Sequence, residues 1–160
     1  PLVAAAAARH SGLTVLQTMS LGRPTRRRLR VDWRADRAWA LSRPELKGLA
    51  VADLDREVAT LSGGNIQRVF YASALAREAN LMVLAYPSRG LDIATVRTGL
   101  AMVRERCQAG TGVLMISEDL DELLEVCDRI VVLHDGHASD PIRASETDRR
   151  ELGQKMLGAA

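Results

Sequence analysis

The spacing of apolar residues changes period several times along this chain, and each change marks a boundary between elements. After Gly63 the apolar positions Ile66, Val69, Phe70 and Ala74 recur at i, i+3, i+4 and i+8. That stripe predicts a helix with one face on a core, running from about Gly63 to near Asn80. Residues 81–86 form a continuous apolar run too short for a helix, as expected of a buried parallel strand. Residues 87–90 turn the chain, and Asp92 opens a long helix carrying Val96, Leu100 and Val103 that Gly110-Thr111-Gly112 stops. Residues 113–116 repeat the buried-strand pattern, residues 120–127 a short helix, and residues 130–133 a third strand that turns at Asp135-Gly136. Strands alternating with helices imply an α/β fold with a parallel sheet and right-handed crossovers.

The flanks are helical. Residues 14–21 and 32–41 predict helices of a small subdomain, residues 42–44 a break, and residues 51–58 a helical or turn-like approach to Leu61. Ser145-Glu146-Thr147-Asp148 has the form of a capping box that opens a last helix ending near Leu157.

Composition adds constraints. The 160 residues are 47% hydrophobic and 26% charged, enough for one or two cores and without a signature of disorder. The longest mostly apolar stretch, residues 2–8, is far below the roughly 20 residues that span a bilayer, and no basic residue precedes it as in a signal peptide. Cys107 and Cys127 lack ligand spacing and read as buried free thiols of a reducing compartment. His10, His134 and His137 have no carboxylate or thiol arrangement for a metal and read as surface residues.

A net charge of +2 is too small to indicate a nucleic-acid partner. The charge is uneven, with Arg23, Arg26, Arg27, Arg28, Arg30, Arg34 and Arg37 crowded beside Pro24 and Trp33. Such a cluster suits contact with phosphate backbones or an anionic membrane face, and is more often a solvated loop.

Candidate chemistry gathers at Leu61-Ser62-Gly63-Gly64-Asn65-Ile66-Gln67-Arg68. Gly63 and Gly64 let the backbone approach a ligand closely, and the free N–H groups of a helix start favour an anion. Read alone, the run fits a helix cap and turn as well as a phosphate cradle.

Its neighbours extend the pattern. Leu61 to Gly64, then Leu81-Met82-Val83-Leu84, Gly90-Leu91-Asp92 and Val113 to Ser117 resemble, in order, four motifs of an ATP-binding-cassette (ABC) nucleotide-binding domain. They correspond to its signature, the strand before its catalytic carboxylates, its D-loop and the strand before its switch residue. Asn65 to Arg68, Ser88 to Asp92 and Ser117 to Leu123 most resemble the second cassette of tandem sugar and nucleoside importer ATPases. Residues 12–22 and 145–158 resemble that cassette's helical subdomain and closing helix. The resemblance implies a partial P-loop NTPase-like parallel sheet flanked by helices with a small helical subdomain. It places the partial subdomain at residues 1–60, the ATPase core at 61–138 and a C-terminal helical segment at 139–160.

Two departures from the family shape the expected function. No Gly-x-x-x-x-Gly-Lys-Ser/Thr run is present, so the chain is expected not to hold ATP by itself. Gln17 sits after the position of the family's Q-loop glutamine and is read as structural. Where the family has Asp-Glu, the one ordering Mg²⁺ and the other polarising the attacking water, this sequence has Ala85 and Tyr86. Glu118 replaces the γ-phosphate histidine. Alanine offers no oxygen, and a phenol with a pKa of about 10 is a poor base at neutral pH.

In the family each ATP lies between one cassette's phosphate loop and the other's signature. The resemblance therefore implies that Ser62, Gly63, Gly64 and Asn65 serve a partner cassette's ATP and Mg²⁺, that Asp92 faces the partner, and that this half does not hydrolyse ATP. It further implies membrane-spanning permease partners and a place at the cytoplasmic face of the cell membrane. A regulatory or scaffold subunit, or a decayed remnant, is the alternative reading.

Overall fold

In the computed structural model, which describes residues 12–21 and 31–158, the first helix, α1 (Val15–Ser20), opens on a closed capping box. The Thr14 amide donates to Gln17 Oε1 at 2.9 Å and the Gln17 amide to Thr14 Oγ1 at 3.2 Å. Gln17 is thereby occupied at its own helix start, the structural role its position in the sequence suggested. Helix α2 (Trp33–Leu41) starts where the Asp32 carboxylate accepts from the Ala35 amide. The expected break falls at Ser42 and Arg43, and a short helix, α3 (Pro44–Gly48), follows with Pro44 in its first turn. Proline is tolerated there because its fixed φ is helical and its missing N–H has no partner to lose. Residues 51–58 are turn-like as expected, with the Arg56 amide donating to the Asp53 carbonyl at 3.1 Å and Val58 opening the 3₁₀ segment Val58–Thr60.

Helix α4 (Gly63–Leu75) ends earlier than its apolar stripe suggested. The Arg106 guanidinium donates to the Leu75 carbonyl at 2.5 Å, and the carbonyls of Ala79 and Asn80 accept from Thr111 Oγ1 and the Gly112 amide. These tertiary bonds draw residues 79 and 80 toward the next strand. Helix α5 (Ile93–Gln108) follows, capped by Asp92.

The chain divides into two compact units. The first combines the described residues up to Met82 with Pro87–Val113, and the second combines Val83–Tyr86 with the described residues from Leu114 onward. In the first, Val15, Met19, Ala40, Val58, Ile66 and Val69 are wholly buried, with Leu54 and Leu61 beside them. Burying one large aliphatic side chain contributes about 1.5–3 kcal/mol, so this cluster holds α4 in place. Arg106 also pairs with the buried Glu45 at 2.7 Å, joining α3 to α5.

Strands β1 (Leu81–Ala85) and β2 (Gly112–Ile116) pair with each other, with the Gly112 amide bonded to the Asn80 carbonyl at one end and the Tyr86 amide to the Ile116 carbonyl at the other. That order makes them parallel, as the apolar runs implied. The burial expected of both strands is corrected: Met82 and Leu84 are buried, but Leu81, Val83, Leu114 and Ile116 are exposed, so the runs are apolar without being enclosed on both faces.

The third strand requires a correction. Residues 130–133 do not form one parallel strand: β3 (Arg129–Ile130) pairs antiparallel with β6 (Ile142–Arg143), and β4 (Leu133–His134) pairs antiparallel with β5 (His137–Ala138). The expected turn at Asp135-Gly136 closes the β4–β5 hairpin with both residues at positive φ. Helix α6 (Leu120–Val126) is capped by Asp119. Ser145 lies in the 3₁₀ turn Ala144–Glu146, and the last helix, α7 (Arg149–Met156), is capped by Asp148 through the Glu151 amide at 2.8 Å. The carboxylate of Asp148, rather than the Ser145 hydroxyl, meets the positive end of α7. Leu152 then packs with Leu123, Ile130 and Val132 as the second unit's core.

Candidate functional site

Ser62 is the N-cap of α4, its hydroxyl accepting from the Asn65 amide at 3.4 Å. Ser62 and Gly63 are exposed, Gly64 and Asn65 half-buried. No acidic side chain lies in this first turn. The end therefore presents backbone N–H groups and the positive pole of the helix, without a Cβ at two successive positions.

Three contacts bind this helix start to the turn before α5. A Cβ on Gly64 would lie 3.0 Å from the Gly90 carbonyl oxygen, so only glycine fits without displacement. One turn on, Gln67 Nε2 donates to the Arg89 carbonyl at 3.3 Å. Arg68 pairs with Asp92 Oδ2 at 2.5 Å. Gly90 itself has a φ of 80°, the left-handed conformation glycine adopts without penalty.

Asp92 is the N-cap of α5. Its Oδ1 accepts from the Thr95 amide at 3.0 Å and its Oδ2 from the Thr95 hydroxyl at 2.7 Å. The Thr95 hydroxyl, then the Thr95 amide, then Arg68 hold its pKa well below the ordinary carboxylate range, since each bond favours the charged form. Ser62, Gly63, Gly64, Asn65 and Asp92 thus belong to one connected corner. Sequence reading named these five and missed Gln67, Arg68 and Thr95 as their anchors. The signal was present as the i, i+3, i+4 spacing of Gly64, Gln67 and Arg68, a polar stripe beside the apolar one.

Ala85, Tyr86 and Glu118 lie in the second unit. Ala85 closes β1 with a methyl group and no oxygen donor. Tyr86 has a φ of 51°, unusual for a bulky residue, with its amide bonded to Ile116 at 2.7 Å. Glu118 is exposed just past β2, after Ser117, whose hydroxyl donates to Glu122 at 3.1 Å. This strand end does not fit a Mg²⁺ site: its two positions offer a methyl group and a phenol, and no carboxylate.

The other candidates divide. Arg23, Arg26, Arg27, Arg28 and Arg30 lie outside the described residues, as does His10; Arg34 is exposed and Arg37 is paired with Asp55. His134 and His137 are exposed as expected. Cys107 corrects the sequence reading: it continues the i, i+3, i+7 face of Leu100 and Val103 but is exposed, one residue before the end of α5, while Cys127 is half-buried. Among the described residues there is no group of acidic, histidine or cysteine side chains placed to hold a metal, and no helix long and apolar enough to cross a membrane.

Comparison with known proteins identifies relatives of this chain. The chain is 34% identical over 104 residues to a glucose import ATP-binding protein of Haloferax volcanii, covering 65% of this chain and 19% of that protein. It is 38% identical over 107 residues to a ribose import ATP-binding protein of Mesorhizobium japonicum, covering 67% of this chain and 21% of that protein. The match thus spans only about a fifth of these relatives' length. Among solved structures, a dimeric bacterial ABC transporter cassette superposes with a TM-score of 0.71 at 24% identity, covering 82% of this chain and 57% of that one, a likeness of fold. No protein-family model matches the chain.

Proposed function

We propose that this chain, which belongs to the ATP-binding-cassette family, lends the Ser62–Asn65 end of α4 to the ATP of a partner cassette and does not itself hydrolyse ATP. The observation that carries the reading is the contrast between two corners. The start of α4 is a glycine-lined, positive helix end held by Gly90 and Asp92, whereas the end of β1 carries Ala85 and Tyr86 and no carboxylate. Serine, two glycines and asparagine suit a polyphosphate through amide donors and the helix pole. Asp92 faces the partner across the same interface, anchored by Arg68 and Thr95.

Transition-state stabilisation then comes from both halves. The partner's phosphate loop and metal would supply charge stabilisation to the phosphates, and the backbone amides of Gly63 and Gly64 in this chain would donate to the same polyphosphate. ATP and Mg²⁺ are shared cofactors on this reading, bound by the pair and not by this chain alone. The relatives are named as glucose, ribose and nucleoside import ATP-binding proteins, so the proposed setting is an importer of that class. Membrane-spanning permeases would be the partners and the cytoplasmic membrane face the location.

Isothermal titration of the purified chain with Mg-ATP separates the readings. No saturable binding is expected below millimolar nucleotide, and micromolar binding would contradict the shared-site reading. Should Ser62 and Gly64 prove dispensable for turnover in the complete assembly, a scaffold subunit or a decayed remnant becomes the better account.

A further inference from the structure

We propose that Arg68 is a positioning residue that ties Asp92 to the first turns of α4, so that the Ser62–Asn65 end and the turn at residues 89–92 move as one piece. The inference rests on the function proposed above and adds the means by which a ligand at one element is felt at the other. Gly64, Gln67 and Arg68 stand at i, i+3 and i+4, which places them on one face of α4. All three meet the same short turn: Gly64 against the Gly90 carbonyl, Gln67 on the Arg89 carbonyl, Arg68 on Asp92.

Two features set Arg68 apart from an ordinary stabilising pair. Its Nε is enclosed and has no hydrogen-bond partner among the described residues, an arrangement that costs stability. Its carboxylate partner is also the cap of the 16-residue helix α5. A tilt of α4 therefore pulls on Asp92 and through it on the start of α5. With side chains 25% and 50% exposed, the pair is too solvated to be explained as a major source of stability.

The test uses the chain without nucleotide or partner, so its outcome is independent of whether the signature serves another cassette's ATP. Amide exchange and the carboxyl ¹³C titration of Asp92 are followed by NMR in wild type, R68A and R68K. In R68A, exchange is expected to rise together at residues 63–65 and 90–95, by about fivefold for loss of one half-exposed pair. The Asp92 titration should move up toward the ordinary carboxylate value of about 3.9. R68K, which keeps the charge, should recover part of both changes. Faster exchange at residues 90–95 with none at 63–65 would overturn the proposal. Faster exchange spread evenly along all of α4 would also overturn it, since that is the mark of general destabilisation.

Discussion

Replacing Gly64 with alanine sets two effects of opposite sign against each other. Helix propensity favours alanine over glycine by about 1 kcal/mol in a helix interior, and by less in a first turn. Against this, the new methyl would lie 3.0 Å from the Gly90 carbonyl oxygen, closer than ordinary contact. The neighbour is backbone, in a turn held by the Gln67 and Arg68 contacts, and cannot swing aside as a side-chain tip would. Overpacking of this kind costs about 1–3 kcal/mol. The steric effect wins, and the net loss is about 0.5–2 kcal/mol. For a chain of this length that lowers Tm by roughly 1–8 °C. Urea unfolding followed by circular dichroism measures it, with Gly153→Ala as reference. Nothing lies within 4 Å of a Cβ on Gly153, in the middle of α7, so that substitution should stabilise by up to about 1 kcal/mol. If Gly64→Ala also stabilised the chain, the close approach between α4 and the Gly90 turn would be refuted.

Further outcomes follow from the same packing. A methyl on Gly99 would lie 2.3 Å from the ring of the buried Tyr71, so Gly99→Ala should destabilise by about 2–3 kcal/mol in urea unfolding. Arg106→Ala leaves Glu45 buried without its cation and exposes the end of α4; a loss of about 3 kcal/mol is expected from the unfolding midpoint. Asp92 has a folded pKa below its unfolded value, so its stabilising contribution is present above about pH 4 and fades as pH falls further. The stability difference between wild type and Asp92→Ala should therefore narrow between about pH 5 and pH 3, and a difference that widened would contradict the assignment.

Legibility in the sequence followed physical locality. Caps were readable because they depend on a few adjacent residues: Ser62 and Asp92 open their helices as expected, and Asp135-Gly136 turns a hairpin. The two apolar runs were readable as strands, and β1 and β2 run parallel, but the burial expected of them fails because alternate residues of each face solvent. What failed depended on distant partners. Residues 76–80 have helical composition, yet the Arg106 and Gly112 contacts end α4 at Leu75. Residues 130–133 look like one strand, but each end pairs with a different later segment, Ile142–Arg143 or His137–Ala138. Cys107 counted as buried by residue type and is exposed in the last turn of α5. At the site, the signature and Asp92 were visible as a motif, whereas the anchoring by Arg68 and Thr95 required knowing which turn the α4 face meets.

The central claim is an asymmetric pair, in which this chain gives its signature to a partner's ATP while its own strand end is inert. The most direct measurement is ATP turnover by the complete assembly carrying either Gly64→Val or Tyr86→Phe. The account predicts that Gly64→Val lowers turnover by at least about a hundredfold, the scale of losing oriented amide donors to the γ-phosphate, and that Tyr86→Phe leaves it unchanged. Turnover that survives Gly64→Val and collapses with Tyr86→Phe would contradict it.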